Sequence, residues 1–349
     1  MKLLLVSVKS EVSRGGIAVW TDRFLQACSQ RGVECLLVNT EMVGKRASQL
    51  SAGRNPWDEL VRTRRIFRDL KAQLKEKPQV AHINTSCGTF GLFRDYFAAR
   101  KIRKAGVKLI THYHCDIPYW VHNPVSRYFL GKLAAGSQQN LVLNESSRRF
   151  LREQYGVESQ LLPNYLEREQ IGEPKAQVSP SLETAIYVGR VEVAKGSREL
   201  YDTALRCPEI RFLLIGELSP DAKDWEVPEN VQLLGAMPHD QVLKKLEEAD
   251  VFFFPSHSEG CSVALMEAAA RGLPMVATDV GANRDIVGDA GMVVSIGDVD
   301  AMVSALEQLE DPAVRQQMSR DAVAHIHADY SVTQLDKLFA IICSLAEET

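Results

Sequence analysis

The 349-residue sequence has no apolar run approaching the ~18 residues of a membrane span. Its start lacks the form of a signal peptide, because the apolar stretch Leu3–Val8 is short and ends at Lys9. Any membrane contact is therefore expected to be peripheral. No Cys-x-x-Cys occurs among the cysteines at 28, 35, 87, 115, 207, 261 and 343. Their odd number and mostly apolar surroundings predict reduced, mainly buried thiols in a cytosolic protein. Neither an Asp-x-Asp motif nor a cluster with metal-ligand spacing stands out, so no metal is expected. The first strand is not followed by Gly-x-Gly-x-x-Gly, which argues against a dinucleotide-dependent dehydrogenase or epimerase. No repeat or low-complexity tract is visible. Nucleic-acid motifs are missing too, which excludes that partner.

Charge is present but divided. The net charge of -4 conceals 26 Lys+Arg against 13 Asp+Glu in residues 1–165, and 15 against 32 in residues 166–349. A basic first half suggests an anionic partner or surface.

Short apolar runs alternate with helical patterns, as parallel βαβ units require. Strands are predicted at 3–8, 35–38, 80–83, 108–111 and 140–143, with a helix over about 17–31. The polar segment from Tyr165 to Ser181 carries Pro174 and Pro180 and reads as an interdomain linker. A second series follows, with strands at 184–188, 211–215, 231–234, 251–254 and 275–277. Helices are predicted near 196–205, 239–248, 262–271, 298–309, 312–327 and 331–346. The expected architecture is α/β, with two Rossmann-like domains whose parallel sheets face across a cleft. The domains are 1–165 and 166–330, and the helix in 331–349 is expected to pack back toward the first. Ligands in such sheets bind at the carboxyl ends of the strands.

Three loops carry candidate chemistry. Gly15-Gly16 precedes the first helix, where paired glycines and free helix N–H groups suit an anion, although a plain tight turn would read the same way. Arg190 and Lys195 lie five residues apart between Gly189 and Gly196, and two cations there can converge on one diphosphate. Glu259 and Glu267 stand eight residues apart, about two helical turns. Gly260 frees the N–H groups of Cys261, Ser262 and Val263 for an anion or sugar hydroxyls. Carboxylates accept hydrogen bonds from vicinal hydroxyls, so the pair could hold a sugar and a ribose. An amphipathic helix with a capping acid is the plainer alternative.

Together with Gly272-Leu273-Pro274, Leu162-Pro163-Asn164, Leu234-Gly235-Ala236-Met237-Pro238 and Val280-Gly281-Ala282-Asn283, these loops resemble the GT-B glycosyltransferases of family 4 across nearly the whole chain. The resemblance implies a retaining transfer of a hexose or N-acetylhexosamine from a nucleotide diphosphate sugar, most often UDP-linked, without a metal. It implies that Gly15, Gly16, Arg190 and Lys195 meet the diphosphate, Glu259 the transferred sugar, Glu267 the ribose and Met237 the base. It also implies that His114, ahead of His112, sits at the reacting centre. Departures are Asn164-Tyr165 for Asn-Gly, Gly216-Glu217-Leu218 for Gly-Asp-Gly, Asp285 for a Glu, and Cys261 where a bulky aromatic is common.

The acceptor is expected to be a lipid-linked saccharide or glycolipid of polysaccharide assembly, at the inner face of the membrane. Alternatives are a soluble small-molecule acceptor and a non-catalytic nucleotide-sugar-binding protein. Arg62, Arg64, Arg65, Arg68 and Lys71, with His112 and Asp116, are the expected acceptor or anionic membrane surface.

Overall fold

The computed structural model describes residues 1–9, 16–43 and 55–348. The chain divides into two compact units, one of residues 1–163 with the chain from Leu335 on, the other of residues 164–334. In the first unit β1 (Lys2–Ser7), β2 (Glu34–Asn39), β3 (Val80–Thr85), β4 (Lys108–Tyr113), β5 (Gln139–Val142) and β6 (Gln160–Leu161) form one sheet. Its order is β2-β1-β3-β4-β5-β6 and every pair is parallel. Helices α1 (Gly16–Gln30), α2 (Pro56–Gln73), α3 (Thr89–Lys104), α4 (Ile117–Trp120), α5 (Pro124–Ala134) and α6 (Glu145–Tyr155) connect them.

Strand alternation gives this sheet two unlike faces. One is apolar: Leu4, Val6, Ala81, Ile83, Leu109 and Tyr113 pack with Ile66, Leu70, Leu92, Ile102, Leu130 and Leu133 of α2, α3 and α5. The other turns His82, Asn84 and His112 toward α1, where the Trp20 ring meets His82, His112 and His114 edge-on. Asn84 donates to Ser7 Oγ at 2.9 Å, and Ser7 bonds Thr21 at 2.6 Å. The chain's final helix, α13 (Thr333–Glu347), also belongs here. Its Phe339 stacks on Phe24, the Arg31 guanidinium lies 4.4 Å from the Phe339 ring, and Arg31 pairs with Asp336.

The second unit holds β7 (Thr184–Val188), β8 (Arg211–Ile215), β9 (Val231–Gly235), β10 (Val251–Phe254), β11 (Met275–Thr278) and β12 (Gly291–Val294). Their order is β12-β11-β10-β7-β8-β9. With them are α7 (Ser197–Arg206), α8 (His239–Glu248), α9 (Val263–Ala269), α10 (Asn283–Val287), α11 (Val299–Gln308) and α12 (Pro312–Asp329). This is the dinucleotide-fold order with its switch point between β7 and β10, where ligands of open α/β sheets bind.

Glycines let the loops at that switch point touch through their backbones. Gly196 has φ +71°, and a Cβ there would stand 1.9 Å from the Pro255 carbonyl oxygen. Gly281 has φ +54°, and its Cβ would stand 2.0 Å from the Glu259 oxygen. His257 N–H donates to the Ala194 carbonyl at 3.2 Å, and Ala282 N–H to that of Gly260 at 3.1 Å.

Two expectations are corrected. Residues 165–181 are no free linker: Leu166 N–H donates to the Tyr330 carbonyl and Lys175 N–H to Ser319 Oγ, so the segment lies against the second unit. Tyr165 and Leu166 supply its buried anchors, which the polar composition of the segment conceals. The cysteines are not all reduced, because Cys87 and Cys115 form a disulfide. They follow adjacent strands β3 and β4, so 28 residues of sequence separate positions whose Cα atoms are 6.5 Å apart, within disulfide reach. Strands β6, two exposed residues, and β12, the half-buried Gly291–Val294, fall outside the predicted set.

Burial pushes His112 down to about 3, opposed by its 3.1 Å hydrogen bond to the Leu162 carbonyl. Burial, then the neighbouring histidines, holds His82 and His114 well below the usual imidazole range. The unfolded chain thus binds protons that the folded chain refuses. Stability is intact above pH ~6.5 and falls below it toward about pH 3, by up to ~1.4 kcal/mol per pH unit for each histidine. Urea midpoints should drop between about pH 7 and about pH 5, and His82→Leu should flatten that slope by about one proton. A midpoint independent of pH would contradict the neutral cluster. Gly196→Ala should cost at least ~2 kcal/mol, against about 1 for Gly32→Ala, whose Cβ meets nothing within 4 Å at a similar φ of +66°. Equal losses would show that the contact with Pro255 does not constrain the turn.

Candidate functional site

The loops after β7 and β10 flank the switch point and bring Lys195 and Glu259 together. Lys195 Nζ donates to Glu259 Oε1 at 2.7 Å and to the Ser258 carbonyl at 3.1 Å. Ser256 Oγ donates to the same carboxylate oxygen at 2.9 Å, and Ser256 is fully buried. The carboxylate is therefore fixed from two sides before any ligand arrives. Arg190 is not drawn to Lys195. Its guanidinium is 58% exposed and pairs with Glu192 at 2.9 Å. The Tyr187 hydroxyl fixes the Arg190 carbonyl at 2.8 Å, so the backbone there is set while the side chain reaches outward.

Ser262 caps α9, its hydroxyl accepting from Leu265 N–H at 3.3 Å. Cys261 is buried, which pushes its thiol up to about 12, and the Asn164 amide bonds its carbonyl at 2.9 Å. Asn164 thereby helps to shape the loop of Gly260 and Cys261 although Tyr165 replaces the usual glycine after it. Val263 opens α9, and Met237 is half-buried between β9 and α8. Glu267 is buried on α9 and bonds His239 Nε2 at 2.8 Å. Sequence reasoning missed His239. Its signal was slight, a histidine opening a helix after Met237-Pro238. It also missed the His257 to Glu199 contact at 2.7 Å, which ties the β10 loop to α7.

In the first unit, Gly16 is exposed at the start of α1, while Gly15 lies outside the described residues. His114 follows β4, and its N–H donates to the Thr85 carbonyl at 2.8 Å. Its ring centroid lies 4.1 Å from that of His112, and its buried Nε2 has no partner among the described residues. A neutral imidazole with a free ring nitrogen can exchange one hydrogen bond with a hydroxyl.

Several surface expectations are corrected. His112 is fully buried and cannot belong to a docking face. Arg62 donates to the Thr40 carbonyl and Arg65 to that of Glu41, so both guanidinium groups hold the chain after β2. Burial and the nearby Arg94 lower Arg62 to about 10. Arg64, Arg68 and Lys71 are exposed as expected. Asp116 precedes α4 and accepts from the Ser146 hydroxyl. The sequence does contain one Asp-x-Asp, Asp298-Val299-Asp300, but Asp298 caps α11 and Asp300 pairs with Arg206. Among the described residues no three His, Cys, Asp or Glu side chains group as ion ligands, and no helix is long and apolar enough to cross a membrane.

Residues 14–169 match the family model described as Glycosyltransferase Family 4, and residues 183–311 that of Glycosyl transferases group 1. The GDP-mannose-dependent monoacylated alpha-(1-6)-phosphatidylinositol monomannoside mannosyltransferase of Corynebacterium glutamicum is 31% identical over 137 residues, 36% of this chain and 36% of that protein. The first curated relatives are matched over no more than 38% of their own length. The fold matches sucrose-phosphate synthase from Thermosynechococcus elongatus with a TM-score of 0.79 at 17% identity over 99% of both chains. It matches Anabaena HepE in complex with UDP and glucose with a TM-score of 0.71 at 15% identity over 99% of both chains. Two parallel sheets in this order, the loops at the switch point of the second unit and the two family models covering both units lead to one conclusion: the chain belongs to glycosyltransferase family 4 and has the GT-B fold.

Proposed function

We propose that the protein is a retaining glycosyltransferase that moves a hexose or N-acetylhexosamine from a nucleotide diphosphate sugar to a hydroxyl of a lipid-linked saccharide or glycolipid. The observation that carries the reading is the Lys195–Glu259 pair, fixed by Ser256 at the switch point, with Glu267 buried on the next helix. The HepE complex with UDP and glucose supports a uridine donor.

The chemistry follows from charge. As the bond between the anomeric carbon and the leaving phosphate oxygen breaks, the sugar becomes cationic and the diphosphate gains negative charge. Lys195 and the outward-reaching Arg190 would meet that charge, so the reading needs no metal. An incoming diphosphate draws Lys195 from Glu259 and leaves the carboxylate to accept from sugar hydroxyls. Gly260 and the N–H groups of Cys261, Ser262 and Val263 would line the sugar. Glu267, oriented by His239, would hold the ribose, and Met237 would touch the base. Gly15 and Gly16 would approach the diphosphate, and His114 would bond a substrate hydroxyl. Attack from the face the phosphate leaves forms the new bond to the acceptor oxygen, whose proton passes to the leaving phosphate. The anomeric configuration is then kept.

Lys195→Ala should lower kcat/KM for transfer by ~10²–10³ while leaving the melting temperature within a few degrees. Glu267→Ala should abolish the rise in melting temperature produced by a nucleotide diphosphate. Near-normal transfer by either variant would sink the assignment. NMR of the fresh product should show the donor's anomeric configuration, and inversion would overturn the mechanism. Chelator should leave the rate unchanged.

A further inference from the structure

Parallel βαβ crossovers are right-handed. In the order β2-β1-β3-β4-β5 the chain moves one way across the sheet from β2 onward, so α2, α3 and α5 share one face. α3 starts soon after β3 ends, α5 follows β4 by way of α4, and Arg62 near the start of α2 reaches the Thr40 carbonyl just past β2, so all three start at the carboxyl rim of the sheet. That rim carries an unusual set of side chains. Trp57 is the second residue of α2 and 70% exposed, and Phe90 is the second residue of α3 and 62% exposed. Trp120 ends α4, Val125 is the second residue of α5, and Tyr128 lies one turn on and is 57% exposed. The Asn123 amide donates to Thr89 Oγ1 at 3.1 Å, which places the starts of α3 and α5 side by side. Rings continue between them: Phe93 lies 5.1 Å from Phe129, and Phe129 lies 5.2 Å from Tyr128. The Arg62 guanidinium of α2 feels the charge of Arg94 on α3, so these two helix starts are neighbours as well.

Exposed aromatic rings clustered on one rim mark a binding surface rather than a random surface. Their high individual exposure means that they project, whereas a saccharide pocket encloses its ligand. Charge identifies the occupant. Residues 55–135 hold 15 Lys+Arg and 6 Asp+Glu. Five of those acids are engaged within the unit: Glu59 by Arg62, Asp69 by Arg68, Glu76 by Lys2, Asp95 by Arg94 and Asp116 by Ser146. Arg64, Arg127 and Lys132 are exposed on the same helices, and Lys132 Nζ lies 5.8 Å from the Tyr128 ring. Aromatic side chains with an apolar body favour the bilayer interface, and flanking cations favour anionic headgroups.

We infer that the carboxyl rim formed by the starts of α2, α3 and α5 inserts its aromatic side chains into the interface of an anionic bilayer. This deepens the reading of a lipid-linked acceptor, and it is measured without any transfer. It replaces the basic helix face alone, because Arg62 and Arg65 are occupied, with an aromatic edge that basic residues flank.

The test uses the full chain with vesicles of phosphatidylcholine, alone or with phosphatidylglycerol, and with brominated acyl chains as the quencher. The anionic vesicles should bind the protein at low salt, release it at high salt and quench its tryptophan fluorescence. Trp57→Phe with Trp120→Phe should remove the quenching, since the remaining tryptophans are Trp20, buried, and Trp225, in the other unit. Arg64→Gln with Arg127→Gln should weaken partition roughly fivefold for each basic charge removed. Absence of binding at low salt, or binding with no bromine quenching, would overturn the inference. So would quenching that persists in the double phenylalanine variant. Loss of self-association instead of vesicle binding in Trp57→Ser with Phe90→Ser would assign the rim to a second copy and overturn it equally. A nucleotide-induced rise in melting temperature with no vesicle binding would defeat this inference and leave the donor assignment standing.

Discussion

The second unit depends on a backbone contact that only glycine permits. Gly196, in the left-handed region, lets its turn close against the Pro255 carbonyl. That contact brings the loop after β7 to the loop after β10, and Lys195 to Glu259. Gly281 does the same for the next loop. Three chain segments are thus fixed to one another before any side chain is considered. The lysine and the carboxylate inherit their positions from this frame, and Ser256 refines one of them. A charged pair in open solvent contributes little to stability. Here its worth is positional, because the pair holds two groups that a ligand can recruit separately.

Most of the fold was legible in the sequence. Strands buried on both faces read as continuous apolar runs, and nearly all such runs recur in the sheets within a residue or two. β6 and β12 escaped because one has two exposed residues and the other is half-buried. The span from Tyr165 to Ser181 misled for a different reason. Its composition is polar, but backbone hydrogen bonds and two buried side chains bind it to the second unit. Composition reports solubility and is silent about where main-chain donors go.

The site was legible in residue types and less so in pairings. Glu259, Glu267, Arg190 and Lys195 stand out in the sequence, but their partners within the protein do not: Lys195 pairs with Glu259 and Arg190 with Glu192. His239 carries no motif, and only the packing of α8 against α9 brings it to Glu267. The basic half shows the same limit. Arg62 and Arg65 read as surface, but their helical phase turns them toward the carbonyls after β2. The disulfide of Cys87 and Cys115 is set by strand adjacency, which the separation along the chain does not reveal.

The place of α13 has a consequence for the order of synthesis. Its residues from Leu335 on complete the first unit, although the whole second unit is translated before them. Phe24 and Arg31 on α1 acquire Phe339 and Asp336 only at that late point. Until then Phe24 and Arg31 lack the contacts that α13 supplies, while the second unit already has every strand of its sheet. On the ribosome, where domains fold as they emerge, the first unit to be made is therefore the last to be finished.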